Sequence, residues 1–365
     1  MRIGILTLPL NTNYGGILQA YALQTVLQRM GHEVFIISLK HQFPSGIIGY
    51  LREFIFSPIK QWIIRDVIPA SWVNDKNYYT SKFVRKKINI VSYHYFSEIK
   101  PYEYDVIVVG SDQIWREKYV CDSYKRSIES SFLDFAETWN IKRLSYAASF
   151  GTDIWEYNEQ QTNNCKRLVH KFDAVSVRER SGITLCKKYL NTDAIQVLDP
   201  TLLLTKEDYC ELVENFSKKR FHGMMTYILD SNTEKDNVIN LVAKTLSINV
   251  FRANEEGIDN PIFQNNAKQP PVEDWICGFR DADFIVTDSF HACVFSIIFN
   301  KPFIVIPNYT RGVSRFESLL SLFKQDFRLV KNPSEFTLND MIKSKPSCNL
   351  KELKNFSLDF LNTNL

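Results

Sequence analysis

The segment Thr287-Asp-Ser-Phe-His291-Ala gathers a carboxylate, two hydroxyls and an imidazole within six residues. Near a helix start the dipole disfavours a charged imidazole unless an anion lies beside it. A bound phosphate would therefore make His291 a proton donor. Ser289, Phe290 and His291 are read as the lining of a site that takes an anion. The plainer alternative is a structural histidine. Ser176-Val-Arg178-Glu179-Arg180 offers a second cation. The planar fork of Arg178 suits a phosphate or carboxylate, whereas a surface pair with Glu179 would contribute little. Arg311 and Arg315 add charge on the same expected face.

Two further clusters carry neutral and acidic groups. In Asn11-Thr-Asn-Tyr-Gly-Gly16 the glycines let backbone approach a ligand just where a helix begins. The cluster Asn13, Tyr14, Gly15 and Gly16 is read as holding an anionic or sugar group. The spacing is not GxGxxG, which argues against a dinucleotide. In Gly110-Ser-Asp-Gln-Ile-Trp115, Asp112 can take a hydroxyl proton, Gln113 can bind hydroxyls and Trp115 can stack on a sugar ring. Equally, Asp112 could cap a helix and Trp115 could fill the core between domains. No HExxH, nucleotide-type DxD or His/Cys cluster occurs, so no metal site is expected.

These clusters need strands to carry them. Apolar runs at Ile3–Leu8, Glu33–Leu39 and Asp105–Gly110 alternate with a helical pattern at Ile17, Ala20, Leu23, Leu27 and Met30. Further strands are expected at Lys142–Ser149 and Phe172–Val177. The rhythm restarts at Met224, with strands near Ile248, Phe284 and Pro302 and helices near Thr233, Pro271, His291 and residue 314. Such βαβ alternation predicts α/β architecture, with two Rossmann-like domains of parallel sheet facing each other across a cleft. The expected division is 1–200, with an irregular insert at 41–100, then 201–333 and a tail at 334–365 packing back on the body. Each polar cluster falls just beyond a strand, where open parallel sheets bind ligands.

Bulk properties narrow the function. Net charge is +3 and no arginine-rich stripe occurs, so nucleic acid is not an expected partner. The seven scattered cysteines suit free thiols in a reducing compartment. The opening Met1-Arg-Ile-Gly lacks a signal-peptide pattern, so a cytoplasmic location is expected. Ile47–Ile68 is greasy but interrupted by charges. It reads first as a helical excursion on the domain and second as a membrane-surface contact, with Trp62 and Trp72 at the interface.

Taken in order, Asn13-Tyr-Gly-Gly-Ile-Leu-Gln-Ala-Tyr-Ala-Leu-Gln24, Val109-Gly-Ser-Asp-Gln-Ile-Trp115, Ser145-Tyr-Ala-Ala-Ser-Phe-Gly151, Ser176-Val-Arg-Glu179, Leu198-Asp-Pro-Thr-Leu-Leu-Leu204 and Thr287-Asp-Ser-Phe-His-Ala292 resemble the polysaccharide pyruvyl transferase family. The resemblance spans about residues 1–325. It implies a glycosyltransferase-B-like pair of domains. It also implies transfer of a pyruvyl group from phosphoenolpyruvate to two sugar hydroxyls, forming a ketal. Phosphoenolpyruvate would be a donor substrate, with no cofactor. The acceptor would be a sugar of a lipid-linked oligosaccharide or polysaccharide precursor, met at the inner membrane face. The positions matching His291 and Arg178 are those the family associates with the donor. Ala292 and Cys293 follow the histidine where the family often carries residues such as glycine. The catalytic set so implied is His291, Asp112 and Arg178; the implied donor-binding set is Gly15, Gly16, Arg178, Ser289, Phe290, His291 and Arg315, and the implied acceptor-binding set is Asn13, Tyr14, Asp112, Gln113 and Trp115. A nucleotide-sugar glycosyltransferase and a non-catalytic glycan-assembly protein are the competing readings. Oligomeric state is not written in these motifs.

Overall fold

The computed structural model describes residues 1–39, 77–124, 126–214, 221–253, 269–332 and 350–365. Seven strands form the first sheet: β1 (Arg2–Leu6), β2 (Glu33–Leu39), β3 (Ile90–Tyr93), β4 (Val106–Val109), β5 (Lys142–Ala148), β6 (Ala174–Val177) and β7 (Ile195–Gln196). Their order is β3-β2-β1-β4-β5-β6-β7, and every pairing is parallel. The second sheet holds β8 (Met224–Tyr227), β9 (Val250–Arg252), β10 (Phe284–Thr287) and β11 (Phe303–Val305) in the order β11-β10-β8-β9, again parallel. β4 is Val-Ile-Val-Val and wholly buried, as expected of a strand covered on both faces.

Helix α1 (Tyr14–Arg29) follows β1 and ends where Gly31 turns left-handed at φ +88°. That cap returns the Gly31 and His32 N–H groups to the carbonyls of Gln28 and Leu27. α1 buries Tyr14, Ile17, Leu18, Leu23 and Leu27, and its polar Gln19 and Gln24 as well. It is covered so fully because it lies between the first sheet and the second half of the chain. One apolar cluster runs from Ile3, Ile5 and Leu18 through to Trp275, Phe279 and Phe295, while a second covers the opposite face of the first sheet around Ile107, Val109 and Trp115. The two halves are therefore Rossmann-like units in the facing arrangement, joined by shared core.

The last helix, Leu350–Asn364, lies against the first half. Phe360 and Leu361 enter the shared core, the Leu198 N–H donates to the Ser357 hydroxyl, and Lys142 Nζ donates to the Leu365 carbonyl.

One expectation needs correction. Residues 41–100 are not uniformly irregular, because their described part contains a helix, Tyr78–Lys87, and edge strand β3. Ile90-Val-Ser-Tyr is short and buries only Tyr93, so it lacks the apolar run that marks the central strands. Ile47–Ile68, Trp62 and Trp72 lie outside the described residues. Among the described residues no helix is long and apolar enough to cross a membrane.

Candidate active site

Strand order reverses between β1 and β4 in the first sheet and between β8 and β10 in the second. Loops leaving such a switch point diverge and open a crevice at the carboxyl ends. The two crevices meet. α1 approaches so closely that a Cβ on Gly15 would stand 2.1 Å from Cγ of His291, which begins the helix Phe290–Ile298. A Cβ on Gly16 would lie 3.0 Å from the Asn13 amide nitrogen and 3.3 Å from an Asp112 oxygen. Both glycines thus allow close approach of α1 to the side chains His291, Asn13 and Asp112.

At this junction His291 and Arg178 converge on one carboxylate oxygen. Arg178 Nη1 donates to Asp199 Oδ2 at 2.8 Å, and His291 Nε2 stands 3.6 Å from the same atom. Arg178 also reaches Asp112 Oδ1 at 3.5 Å and Glu179 Oε2 at 3.9 Å. Asp199 sits in the turn after β7, where its other oxygen accepts from the Thr201 N–H and hydroxyl. Asp112 adopts a left-handed backbone at φ +63°, which Asp tolerates better than branched residues do. Its second oxygen accepts from the Asn13 amide. Glu179 Oε1 accepts from the Ser149 hydroxyl and the Phe150 and Gly151 N–H groups.

The second half supplies the remaining cation. The Phe290 ring has the Arg178 guanidinium 4.3 Å from its centroid and that of Arg315 at 5.4 Å. Arg315 donates to the Arg311 carbonyl, has no carboxylate within ion-pair distance among the described residues, and leaves its buried Nε unpartnered. His291 Nε2 and Arg178 Nε are likewise buried without a hydrogen-bond partner.

The charges respond to this environment. Burial alone would raise the Asp199 carboxyl, but contact with His291, Arg178 and Thr201 outweighs it and holds it well below the usual range. Burial pulls Arg178 down, and Asp199, Asp112 and Glu179 more than restore it, so it is raised. Burial and the neighbouring Arg178 lower Arg315 to about 10. Glu179 and Asp112 act in the opposite direction but offset this only in part.

Several sequence assignments move. Arg178 was expected to fork onto the donor, yet its fork is occupied by Asp199 and Asp112, so it organises the acids of the site. Trp115 is no sugar platform: it is fully buried, stacked on Phe132 at 4.8 Å, with its indole N–H on the Ser131 carbonyl. Tyr14 is equally buried, stacked on Trp275 at 5.5 Å, with its hydroxyl on the Pro270 carbonyl. Gln113 turns inward and accepts from Arg116. Arg116 also reaches the carbonyls of Thr310 and Arg311, tying the halves together. Asn13 remains exposed at the rim, and Ser289 is buried one residue before the helix. Arg311 forms a two-pronged pair with Asp230.

Sequence reasoning gave Asp199 no role at the site, although the residue stands in one of the family-like motifs. It also missed the clasp at Asp288, whose carboxylate accepts from the Leu229 and Asp230 N–H groups, Lys235 Nζ and the Asn308 amide. That clasp fixes the loops after β8 and β11 against the start of the His291 helix.

Two stability predictions follow from these contacts. Arg178→Ala strands three buried carboxylates and should cost about 3–5 kcal/mol in denaturant unfolding; a loss below 1 kcal/mol would show that they do not depend on it. Asp199 has a depressed folded-state pKa, so its contribution is complete above the unfolded carboxylate value of about 3.9 and is lost as pH falls through and below it. Asp230, held down to about 2 chiefly by Arg311, extends the loss toward that pH. Circular dichroism should show acid unfolding beginning below about pH 4; a transition centred above pH 6 would point to other groups.

Two parallel sheets meeting over a buried imidazole, carboxylates and guanidinium groups define a two-domain α/β protein with its chemistry at the junction. The chain belongs to the polysaccharide pyruvyl transferase family, whose model matches residues 13–309, and it is accordingly a transferase. No curated protein matches the sequence. Among solved structures it is similar to UDP-GlcNAc 2-epimerase from Methanocaldococcus jannaschii, at 11% identity over all of both chains with a TM-score of 0.49. It is also similar to UDP-GlcNAc 2-epimerase from Neisseria meningitidis bound to UDP-GlcNAc, at 10% identity over all of both chains with a TM-score of 0.46. A glycosyltransferase from Rickettsia africae aligns at 13% identity over 100% of this chain and 94% of the other, with a TM-score of 0.45.

Proposed function

We propose that this transferase moves a pyruvyl group from phosphoenolpyruvate onto two hydroxyls of a sugar in a polysaccharide or lipid-linked oligosaccharide precursor, closing a cyclic ketal. Family membership supports the reaction class. Arg315 carries the donor assignment: it is a buried guanidinium with no carboxylate within ion-pair distance among the described residues, and its Nε has no hydrogen-bond partner. Burying an uncompensated cation is costly, and an anionic substrate offsets that cost when it binds. The donor phosphate or carboxylate lies against Arg315 and the start of the Phe290–Ile298 helix, whose free N–H groups favour negative charge.

The chemistry then follows from the neighbours. One sugar hydroxyl adds to C2 of the donor while C3 accepts a proton, so the C2–C3 double bond becomes a single bond to a methyl group. A second hydroxyl then attacks C2, the C2–O bond to phosphate breaks, and the ketal closes. His291 is the acid toward C3, with Asp199 stabilising the imidazolium that precedes transfer. Asp112 accepts the proton of the attacking hydroxyl, and the proton of the second hydroxyl leaves with phosphate. Asn13, at the exposed rim and hydrogen-bonded to Asp112, lies where the acceptor enters.

Incubation with phosphoenolpyruvate and candidate oligosaccharides tests the reaction. Phosphate should appear only when an acceptor is present, and mass spectrometry should show that acceptor carrying one pyruvate ketal. A protein inert toward phosphoenolpyruvate but stabilised by a UDP- or GDP-sugar would instead be a nucleotide-sugar enzyme.

A further inference from the structure

Arg315 belongs to the second half of the chain, but part of its seat is built from the first. Its Nη2 donates to the Arg311 carbonyl at 2.6 Å. The same oxygen accepts from Arg116 Nη1 at 3.3 Å, and Arg116 Nη2 donates to the adjacent Thr310 carbonyl at 3.3 Å. A carbonyl oxygen carries two lone pairs, so one acceptor serves both guanidinium groups. Arg116 is buried and is itself held within the first half. Gln113 Oε1 accepts from its Nη1 at 3.1 Å, and Glu156 Oε1 accepts from its Nε at 3.4 Å. A planar fork fixed on one side presents its remaining N–H groups in set directions.

Two further contacts close the same seam. A Cβ on Gly312 would overlap the Gly151 carbonyl oxygen, so the backbones of the two halves touch directly, and the Gly151 N–H is held in turn by Glu179. Arg315 lies in the first turn of the helix Ser314–Leu322. Further along that helix the Ser318 hydroxyl accepts from the Arg180 N–H at 2.9 Å and from the Gln196 amide at 2.7 Å. Gln196 also donates to the Arg178 carbonyl. Within the second half, Arg311 is anchored through its side chain to Asp230. What Arg116 adds is a hold on the Arg311 carbonyl, the atom to which the Arg315 fork is bonded.

We propose that Arg116 is a positioning residue for the donor site: by fixing the Thr310–Arg311 backbone on the first half, it sets where the Arg315 guanidinium stands. The donor site is then complete only when the two halves are docked. The role of Arg315 toward phosphoenolpyruvate rests on the function proposed above. Arg116 acts through Arg315 and not on the substrate, since its own donors face Gln113, Glu156 and the two carbonyls. A residue that merely glued the halves together would lower stability without singling out Arg315.

A double-mutant cycle on the full chain separates these roles, read by calorimetric titration of phosphoenolpyruvate. Arg116→Met keeps the stem and removes the donors. It should weaken binding about three- to tenfold, the usual effect of one lost hydrogen bond, and no more than Arg315→Gln does. In the Arg315→Gln background the same change should cost less than twofold. Arg116→Lys, which can still reach one carbonyl, should restore part of the affinity, and it carries the same cycle if Arg116→Met does not fold. Phenylglyoxal labelling, followed by peptide mass spectrometry, reads the seat of Arg315 without any substrate. Arg315 should react slowly in the native chain and at least about threefold faster once Arg116 is replaced, while the exposed Arg180 reacts alike in both. A native chain that ignores phosphoenolpyruvate but shows this change in labelling would count against the proposed reaction and not against the positioning. Equal losses of affinity with and without Arg315, or labelling of Arg315 that does not respond to Arg116, would overturn the positioning role.

Discussion

His291→Ala is expected to lower kcat for ketal formation by about 10²–10⁴-fold, the usual contribution of a positioned acid. The affinity for phosphoenolpyruvate should fall much less, since Arg315 remains. The Phe290–Ile298 helix buries eight other residues besides His291, so the fold should survive the truncation. Asp199→Asn tests the same unit from the other side. It keeps the shape but removes the charge on which His291 Nε2 and Arg178 Nη1 converge. The imidazolium then loses its counter-charge, and kcat should fall with it. If the alanine variant turned over at more than a tenth of the native rate, the proton would have to come from another group.

Gly15→Ala should be nearly as damaging, although it adds one carbon on the opposite half of the molecule. A methyl there would meet Cγ and Nδ1 of His291 at 2.1 Å, far inside contact distance. Either the imidazole leaves Asp199 or the two halves part. A displacement near 1 Å at a reacting group can cost about a hundredfold in rate. Gly16→Ala is the control, because its methyl would be 3.0 Å or more from its neighbours, close enough for a small adjustment to absorb. Initial rates of the two folded variants should differ by at least tenfold. Equal rates would mean that the α1 contact does not place the imidazole.

The scaffold was legible because parallel strands covered on both faces are near-continuously apolar, as Val-Ile-Val-Val of β4 and Phe-Ile-Val of β10 are. Gly31 marked the end of α1 for an equally local reason, its left-handed cap. The clusters at strand ends were visible as polar residues just past those runs, and the structure brings four of them to one junction. Burial was not legible at the aromatic residues. Tyr14 and Trp115 have the same composition cues as sugar-stacking rings, and only the packing of α1 and Phe132 shows them enclosed. Asp199 was hidden because its role depends on Arg178 and His291, which lie on different elements and in different halves. β3 escaped because a half-buried edge strand of four residues carries little pattern.

The account depends on an anionic donor seated against Arg315. Calorimetric titration of phosphoenolpyruvate into the native chain, Arg315→Gln and Arg180→Gln tests it directly, since Arg180 is an exposed cation one element away. The native protein and the Arg180 variant should bind alike, while Arg315→Gln should lose at least about tenfold in affinity, as deletion of a charged hydrogen-bonding group does. Undiminished binding by Arg315→Gln would contradict the donor site described here.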